Sequence, residues 1–412
     1  MVRDEYLFEA FRLCLRHKMS SPSAVKYLTG FEEDLIRLCD EINGRTYYPS
    51  TSTAFIVTKP KYREVFAACF RDRIVHHYIA MRIEPLFEQM FSPRTFNCRK
   101  EKGVLYGVEQ LKQDVFDCSE GYTRDCWIAR LDLQGFFMSI DKQLLDGMLQ
   151  KFIADSYFGD DKEDIMWLSH IIMLHEPEKD CILRSPVEQW NHLPRNKSLF
   201  TNGEGLGLPI GNLPSQHNAN FLLHGLDMAL ERLGFKYHGR YVDDFYYLDT
   251  DKQKMLETVP VIRRYLKICL RITLHPDKFY FQHYTKGVKF IGAVIMPGRS
   301  YSGSRTVGNL HSAIWKLNKC HTRIQIEHAV QSVNSYLGQL RHFNAYHIRR
   351  RELSQIRPDL WEWIYIKGRF ESIRMRVMPK ARPVPKEEWP KVYYAKDPID
   401  LSVLQETADH PN

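Results

Sequence analysis

Asp243 and Asp244 stand side by side between two apolar, aromatic runs, Arg240-Tyr241-Val242 before them and Phe245-Tyr246-Tyr247-Leu248 after. Side chains on a strand alternate between faces, so two adjacent carboxylates serve one purpose only where a turn breaks the alternation. Residues 237–249 therefore read as a hairpin with its turn at Val242-Asp243-Asp244. A plain surface turn would account for that pair alone. A second segment argues for more. Cys126 to Leu133 reads as a buried strand, and Asp132 lies at its end, where a carboxylate has no reason to be buried unless something positive meets it. Three carboxylates on the tips of neighbouring strands repel unless a cation lies among them. Hard oxygen ligands suit Mg²⁺, which shares its shell with substrate phosphates. Two such ions ~4 Å apart can activate a hydroxyl and stabilise a leaving pyrophosphate.

Length and composition bound what surrounds such a cluster. The 412 residues allow two to four packed units, at roughly 100–200 residues each. An apolar fraction of 44% and a charged fraction of 26% are ordinary for a soluble globular chain and exclude wholesale disorder. No window holds the ~18 uninterrupted apolar residues of a bilayer span. Charges break the apolar pattern of the first residues at helical spacing, which makes them an amphipathic helix and not a signal peptide. Nine scattered cysteines, none in C-x-x-C spacing, read as reduced thiols of a cytoplasmic protein. A net charge of +8 permits a polyanionic partner without requiring one.

Apolar residues recur at three- and four-residue steps over 1–50, so this stretch reads as helical. A strand-like run from Ala54 to Val57 leads into Lys59-Pro60-Lys61, and a long helix pattern spans Phe66 to about Phe91, broken at Pro85. Residues 134–200 mix helices and loops, 203–216 are rich in Gly and Pro, and Gln216 to Gly234 reads as a helix. A helix from Lys254 to Leu270 precedes strands at Phe279–Gln282 and Val288–Val294. Residues 305–370 are helical and increasingly basic, and the tail from Met378 is Pro-rich and extended. Gly205 to Gly211 is not a P-loop, because no Gly-Lys-Ser/Thr closes it.

Leu131-Asp132-Leu133-Gln134-Gly135-Phe136-Phe137-Met138-Ser139-Ile140-Asp141, then Gly207 to Gln216, then Tyr241-Val242-Asp243-Asp244-Phe245, resemble in their order the palm motifs of reverse transcriptases. Lys59 to Val65 and Phe70 to His76 resemble the fingers motifs of that family, and Asn97 to Gly103 its next block. Leu274 to Lys278 and Lys289 to Gly292 resemble its last two palm motifs. The likeness runs in the correct order from about residue 50 to about residue 350. Within the family, Ile210 to Gln216 and the thumb string Asn334 to Asn344 are similar to the diversity-generating retroelement type. Pro214 departs from the Thr expected there and stiffens the loop.

The resemblance implies an α+β right-hand polymerase fold. Its parts are a helical N-terminal extension (1–50), fingers (51–125), a palm (126–298, with an insertion at about 142–205), a helical thumb (299–370) and a Pro-rich basic tail (371–412). It places two Mg²⁺ ions, with Mn²⁺ as a substitute, at Asp132, Leu133, Asp243 and Asp244. Arg63, helped by Lys59 or Lys61, would clamp the incoming triphosphate. Phe137 would form the wall that excludes a 2′-hydroxyl, with Phe136 in the core. Gly211 and Gln216 would line the nucleotide site with Ile210, a position where accurate relatives carry Gln. Ile cannot donate a hydrogen bond, which fits misincorporation opposite template adenines. Lys278 would protonate the leaving pyrophosphate. Asp141 is expected instead to cap the helix that begins after Ile140.

The activity so implied is DNA synthesis on an RNA template by a cytoplasmic enzyme, bacterial or phage-encoded, with no membrane partner. Its partners would be template RNA, an RNA or DNA primer, the cDNA duplex, dNTPs, and a small, basic, pentameric accessory variability protein. The role would be mutagenic retrohoming of a diversity-generating retroelement. The alternative is a bacterial antiphage-defence reverse transcriptase. A non-catalytic RNA-binding relic is disfavoured by the intact Asp132, Asp243 and Asp244.

Overall fold

Helices α1 (Asp4–Leu15), α2 (Pro22–Leu28) and α3 (Phe31–Asn43) each bury one apolar face, and Phe11 stacks on Phe31 with ring centres 5.0 Å apart. This computed structural model describes residues 2–16, 18–19, 21–59 and 61–377, so the tail expected from Met378 lies outside the described residues. Phe11 also meets Phe70 edge-on, which docks the first helices on α4 (Phe70–Met90).

Between α3 and α4 the chain forms a hairpin of β1 (Ser52–Val57) and β2 (Arg63–Ala67). The helix expected from Phe66 therefore starts only at Phe70, because Phe66 pairs with Ala54 across the ladder and both are fully buried. Nor is α4 broken at Pro85. Ile83 and Phe87 on either side are buried, and that packing outweighs the roughly 3 kcal/mol a proline costs within a helix.

After α5 (Val104–Cys118) comes β3 (Trp127–Leu133), then the single turn α6 (Phe136–Ser139), α7 (Lys142–Ser156) and α8 (Lys162–Leu174). Asp141 caps α7 as expected, accepting from the Leu144 amide at 2.9 Å. Strand β4 (Cys181–Leu183) returns to lie parallel to β1. Next are α9 (Leu213–Arg232), the hairpin β5 (Tyr237–Tyr241) and β6 (Asp244–Asp249), α10 (Lys252–Cys269) and β7 (Leu274–His283). The antiparallel sheet has the order β5-β6-β3-β7. Its alternation is strict: Ala129, Leu131, Phe245 and Tyr247 face the main core with α9 and α10, while Ile128, Tyr246 and Leu248 face a second core with α5.

Strands β8 (Val288–Phe290), β9 (Ala293–Met296) and β10 (Arg299–Ser302) form a small antiparallel sheet beside that second core. Helices α11 (Ser304–Leu317), α12 (Arg323–Leu340) and α13 (Tyr346–Leu353) then enclose a core of their own around Leu310, Ile314, Val333 and Leu337. Helix does not continue to Phe370. β11 (Ile364–Lys367) pairs with β12 (Ser372–Met375), so the tail drawn from residue 371 starts inside a hairpin. Asn334 of α12 fixes β12 as a neighbouring strand would, donating to the Ile373 carbonyl at 2.8 Å and accepting from its amide at 2.9 Å. Among the described residues no helix is long and apolar enough to cross a membrane.

Candidate active site

Strand β3 carries Asp132 on the same face as Arg130, since residues two apart share a face. Leu131 pairs with Phe245 of β6, so the next step along both strands brings Asp132 beside Asp244. On its other side β3 slips against β7: Leu131 pairs with Phe279, but Leu133 pairs with Leu274. Residues 275–278 therefore bulge out opposite Asp132, a device common beside active sites. The bulge delivers Lys278 to Asp132, and the two form an ion pair.

Asp243 occupies the hairpin turn, which is tighter than expected: Tyr241 pairs with Asp244, leaving only Val242 and Asp243 between the strands. Burial and the like charge of Asp132 push the Asp243 carboxyl up, with Lys278 and Arg63 opposing. Burial also pushes Asp244 up, to about 7, against the pull of Arg130 and with added repulsion from Asp243 and Asp132. Arg130 Nε lies 3.5 Å from Asp244 Oδ1, and that buried oxygen has no hydrogen-bond partner. The three carboxylates are thus drawn together and short of positive charge. Among the described residues no three His, Cys, Asp or Glu side chains form a ready-made cage for an ion. Lys278 at Asp132 and Arg130 near Asp244 offset only part of the acids' charge. The all-oxygen donor set and the orphaned Asp244 oxygen fit a hard divalent cation. Leu133 buries its side chain in the core and can offer only its main-chain carbonyl.

The expected basic clamp lies on the β1–β2 hairpin. Lys59, Lys61 and Arg63 are exposed, and Arg63 is close enough to Asp243 to lower its carboxyl. Phe137 is half-buried on α6, edge-on to a buried Phe136 at 5.4 Å. The Gly-rich loop runs beside it: Leu208 N donates to the Phe137 carbonyl and Gly207 N to the Ile140 carbonyl, both at 2.8 Å. Ile210 packs against the small core of Ala54, Phe66, Met138 and Leu199, and its carbonyl accepts from Phe66 N at 2.9 Å. Gly211 must be glycine here. Its φ is +119°, and a Cβ would come within 2.7 Å of Val65 Cγ1. Pro214 lies in the first turn of α9, where its missing N–H is harmless. Gln216 is exposed on α9 and accepts from Cys98 Sγ at 2.9 Å.

Sequence reasoning missed three contributors. Arg130 could have been found from the strand alternation that places it with Asp132. Glu64, buried next to Arg63, accepts from Trp190 Nε1 and Leu199 N at 2.7 Å and from Ser198 Oγ at 2.6 Å, tying the insertion to β2. Arg240 is wholly buried and holds Asp227 through two hydrogen bonds of 2.6 and 2.8 Å.

Residues 56–295 match the family model described as reverse transcriptase (RNA-dependent DNA polymerase). Protein YkfC of Escherichia coli (strain K12) is 27% identical over 169 residues, which cover 38% of this chain and 43% of YkfC, so the match spans less than half of that relative. A truncated apo telomerase from Candida tropicalis gives a TM-score of 0.43 at 11% identity, over 61% of this chain and 54% of that one. Telomerase from Candida albicans, solved in complex with the TWJ fragment of telomeric RNA, gives 0.44 at 10% identity, over 75% of this chain and 56% of that one.

Proposed function

This chain belongs to the reverse transcriptase (RNA-dependent DNA polymerase) family, and we propose that it copies RNA into DNA at Asp132, Asp243 and Asp244. The observation that carries the reading is the cluster itself: three carboxylates at the end of the β6-β3 pair, two of them pushed up by burial and mutual repulsion, facing Arg63. Asp132, Asp243 and Asp244, with the Leu133 carbonyl, would hold two Mg²⁺ or Mn²⁺ ions, which activate a primer 3′-hydroxyl and offset charge on pyrophosphate. Arg63 and Lys59 bind the triphosphate from the opposite side, where a guanidinium gives paired contacts. Lys278, kept over the cluster by its pairing with Asp132, gives its proton to the departing pyrophosphate. Phe137 walls off the 2′ position of the sugar. Gly211 lets the loop pass flat against β2, and Gln216 lines the site from α9.

The biological role we propose is mutagenic retrohoming of a diversity-generating retroelement, with template RNA, primer, cDNA duplex and a small basic pentameric accessory protein as partners. Its support is the string Ile210 to Gln216 and the thumb string from Asn334. Ile210 offers no polar group where an amide would read the base pair, and one hydrogen bond of ~1 kcal/mol is enough to shift an error ratio several-fold. The test is extension of a primed RNA with dNTPs, followed by sequencing of the cDNA with and without the accessory protein. Metal-dependent extension with excess errors at template adenines, reduced by Ile210→Gln, is expected. No extension overturns the polymerase reading, and errors spread evenly over the four template bases overturn the mutagenic one.

A further inference from the structure

Val242 is the structural oddity of the site. Its φ is 58°, in the left-handed region where a β-branched residue is a true outlier. Two-residue hairpin turns that begin with positive φ normally place Gly or Asn there. A strained conformation persists only where its surroundings over-determine it. Here both main-chain polar groups of Val242 are held by side chains. Its N–H donates to Asn97 Oδ1 at 2.8 Å, and its carbonyl accepts from Arg240 Nη1 at 3.2 Å.

Those two side chains belong to one buried network. The Asn97 carbonyl accepts from Asn220 Nδ2 at 3.0 Å, and Asn220 Oδ1 accepts from Arg240 Nη1 at 3.2 Å. Arg240 pairs with Asp227, which also accepts from Thr95 Oγ1 at 2.8 Å. The main chain closes the ring: Phe96 N donates to the Arg240 carbonyl, and Arg240 N to the Arg94 carbonyl, both at 2.9 Å. All five side chains are at most 3% exposed. Satisfied networks of this kind rigidify what they touch, and the far end of this one is the residue immediately before Asp243.

We infer that Asn97 is a positioning residue, which clamps Val242 in its left-handed conformation and thereby aims the Asp243 carboxylate at the cation. The inference rests on the reading of Asp243 as a cation ligand. Asn97 touches neither cation nor substrate. It acts through one N–H, with Asn220 and Arg240 as its support.

The experiment is a titration of Mn²⁺ against thermal stability, run on the full chain without nucleotide beside steady-state extension. In wild type Mn²⁺ should raise the melting temperature, and in Asp243→Asn that response should be lost. Asn97→Ala should move the Mn²⁺ midpoint about tenfold higher, the range seen when groups that orient metal ligands are removed. At low Mn²⁺ its kcat should fall while KM for dNTP holds. Adding Val242→Gly, which accepts positive φ without strain, should bring the midpoint most of the way back even though the hydrogen bond stays absent. Asn97→Ser serves the same purpose if the alanine variant does not fold. A lower melting temperature with an unmoved midpoint means the network is only structural, and the proposal falls. A midpoint that Val242→Gly leaves uncorrected also removes it. An identical Mn²⁺ response in wild type and Asp243→Asn overturns the ligand reading of Asp243 first, and the clamp with it.

Discussion

The β5–β6 hairpin, whose turn holds Asp243, rests on Asn97, Asn220, Asp227 and Arg240, all essentially sealed from water. Opposite it, every described residue from Lys59 to Arg63 is exposed. The carboxylates must stay close together against their own repulsion, so they need a base that cannot relax. In the proposed reading the cations of the β1–β2 hairpin would meet a triphosphate and could adapt to it, so long side chains on an open hairpin would suffice. Electrostatic work in a catalytic site depends on groups already in place before the reaction, and here that demand falls on the acidic side alone.

The sharpest way to break the comparison is to remove a carboxylate charge. Asp243→Asn or Asp132→Asn should lower extension at least about 10³-fold, some 4 kcal/mol of barrier. In Asp243→Asn the melting temperature should hold or rise, because a partly buried carboxylate repelled by Asp132 has been neutralised. Normal extension by either variant, measured on a primed RNA, ends the two-metal assignment. Next in size is the base of the hairpin. Arg240→Met strands Asp227 in the interior and should remove about 3–5 kcal/mol of stability by urea unfolding. A loss below ~1 kcal/mol would mean that the hairpin does not depend on this pair.

The exposed side should respond differently. Arg63→Ala should raise KM for dNTP about tenfold, near 1.4 kcal/mol, while stability stays within ~0.5 kcal/mol of wild type. A large stability loss there would erase the contrast. Phe137→Ala, on a half-buried ring, should reduce the preference for dNTPs over rNTPs several-fold, and an unchanged ratio would leave Phe137 as core alone.

At neutral pH the smallest effect concerns the floor under both halves. His76 of α4 is buried, and burial pushes it down to about 3. Between pH 6.5 and 3 the unfolded chain binds a proton there that the folded chain refuses. Stability from this residue is therefore full above about pH 6.5 and is lost as pH falls, by about 1.4 kcal/mol per pH unit. His217, pushed down by burial to about 4, acts in the same direction. His76→Gln should flatten the acid limb of a melting-temperature profile. An unchanged slope would mean that His76 charges freely in the folded state.

How much of this was legible in the sequence follows from distance along the chain. Asp132 and the Asp243-Asp244 pair stood out because each interrupts an apolar strand, a pattern contained in a few residues. The network beneath them joins residues 95, 97, 220, 227 and 240, and no local pattern links those positions. The last two residues of the strand at 63–67 read as helix because Phe66-Ala67-Ala68-Cys69-Phe70 contains no breaker. Only its pairing with Thr53 to Val57 makes it a strand. The β11–β12 hairpin is hidden for the opposite reason. Its strands are four residues each, too short for alternation to show, and Asn334 on a distant helix secures one of them.

The seam between β2 and the loop at Ile210-Gly211 has a mechanical consequence. Phe66 N is bonded to the Ile210 carbonyl, Gly211 admits no gap beside Val65, and Gly207 and Leu208 are bonded in turn to the Ile140 and Phe137 carbonyls. The root of the β1–β2 hairpin is therefore welded, through the loop before α9, to α6 and the residue after it. If the hairpin moves, its fulcrum lies outward of Phe66, and the stroke is confined to a lever one short hairpin long, with Arg63 at the last paired position opposite Val57 and Lys59 beyond it at the free end.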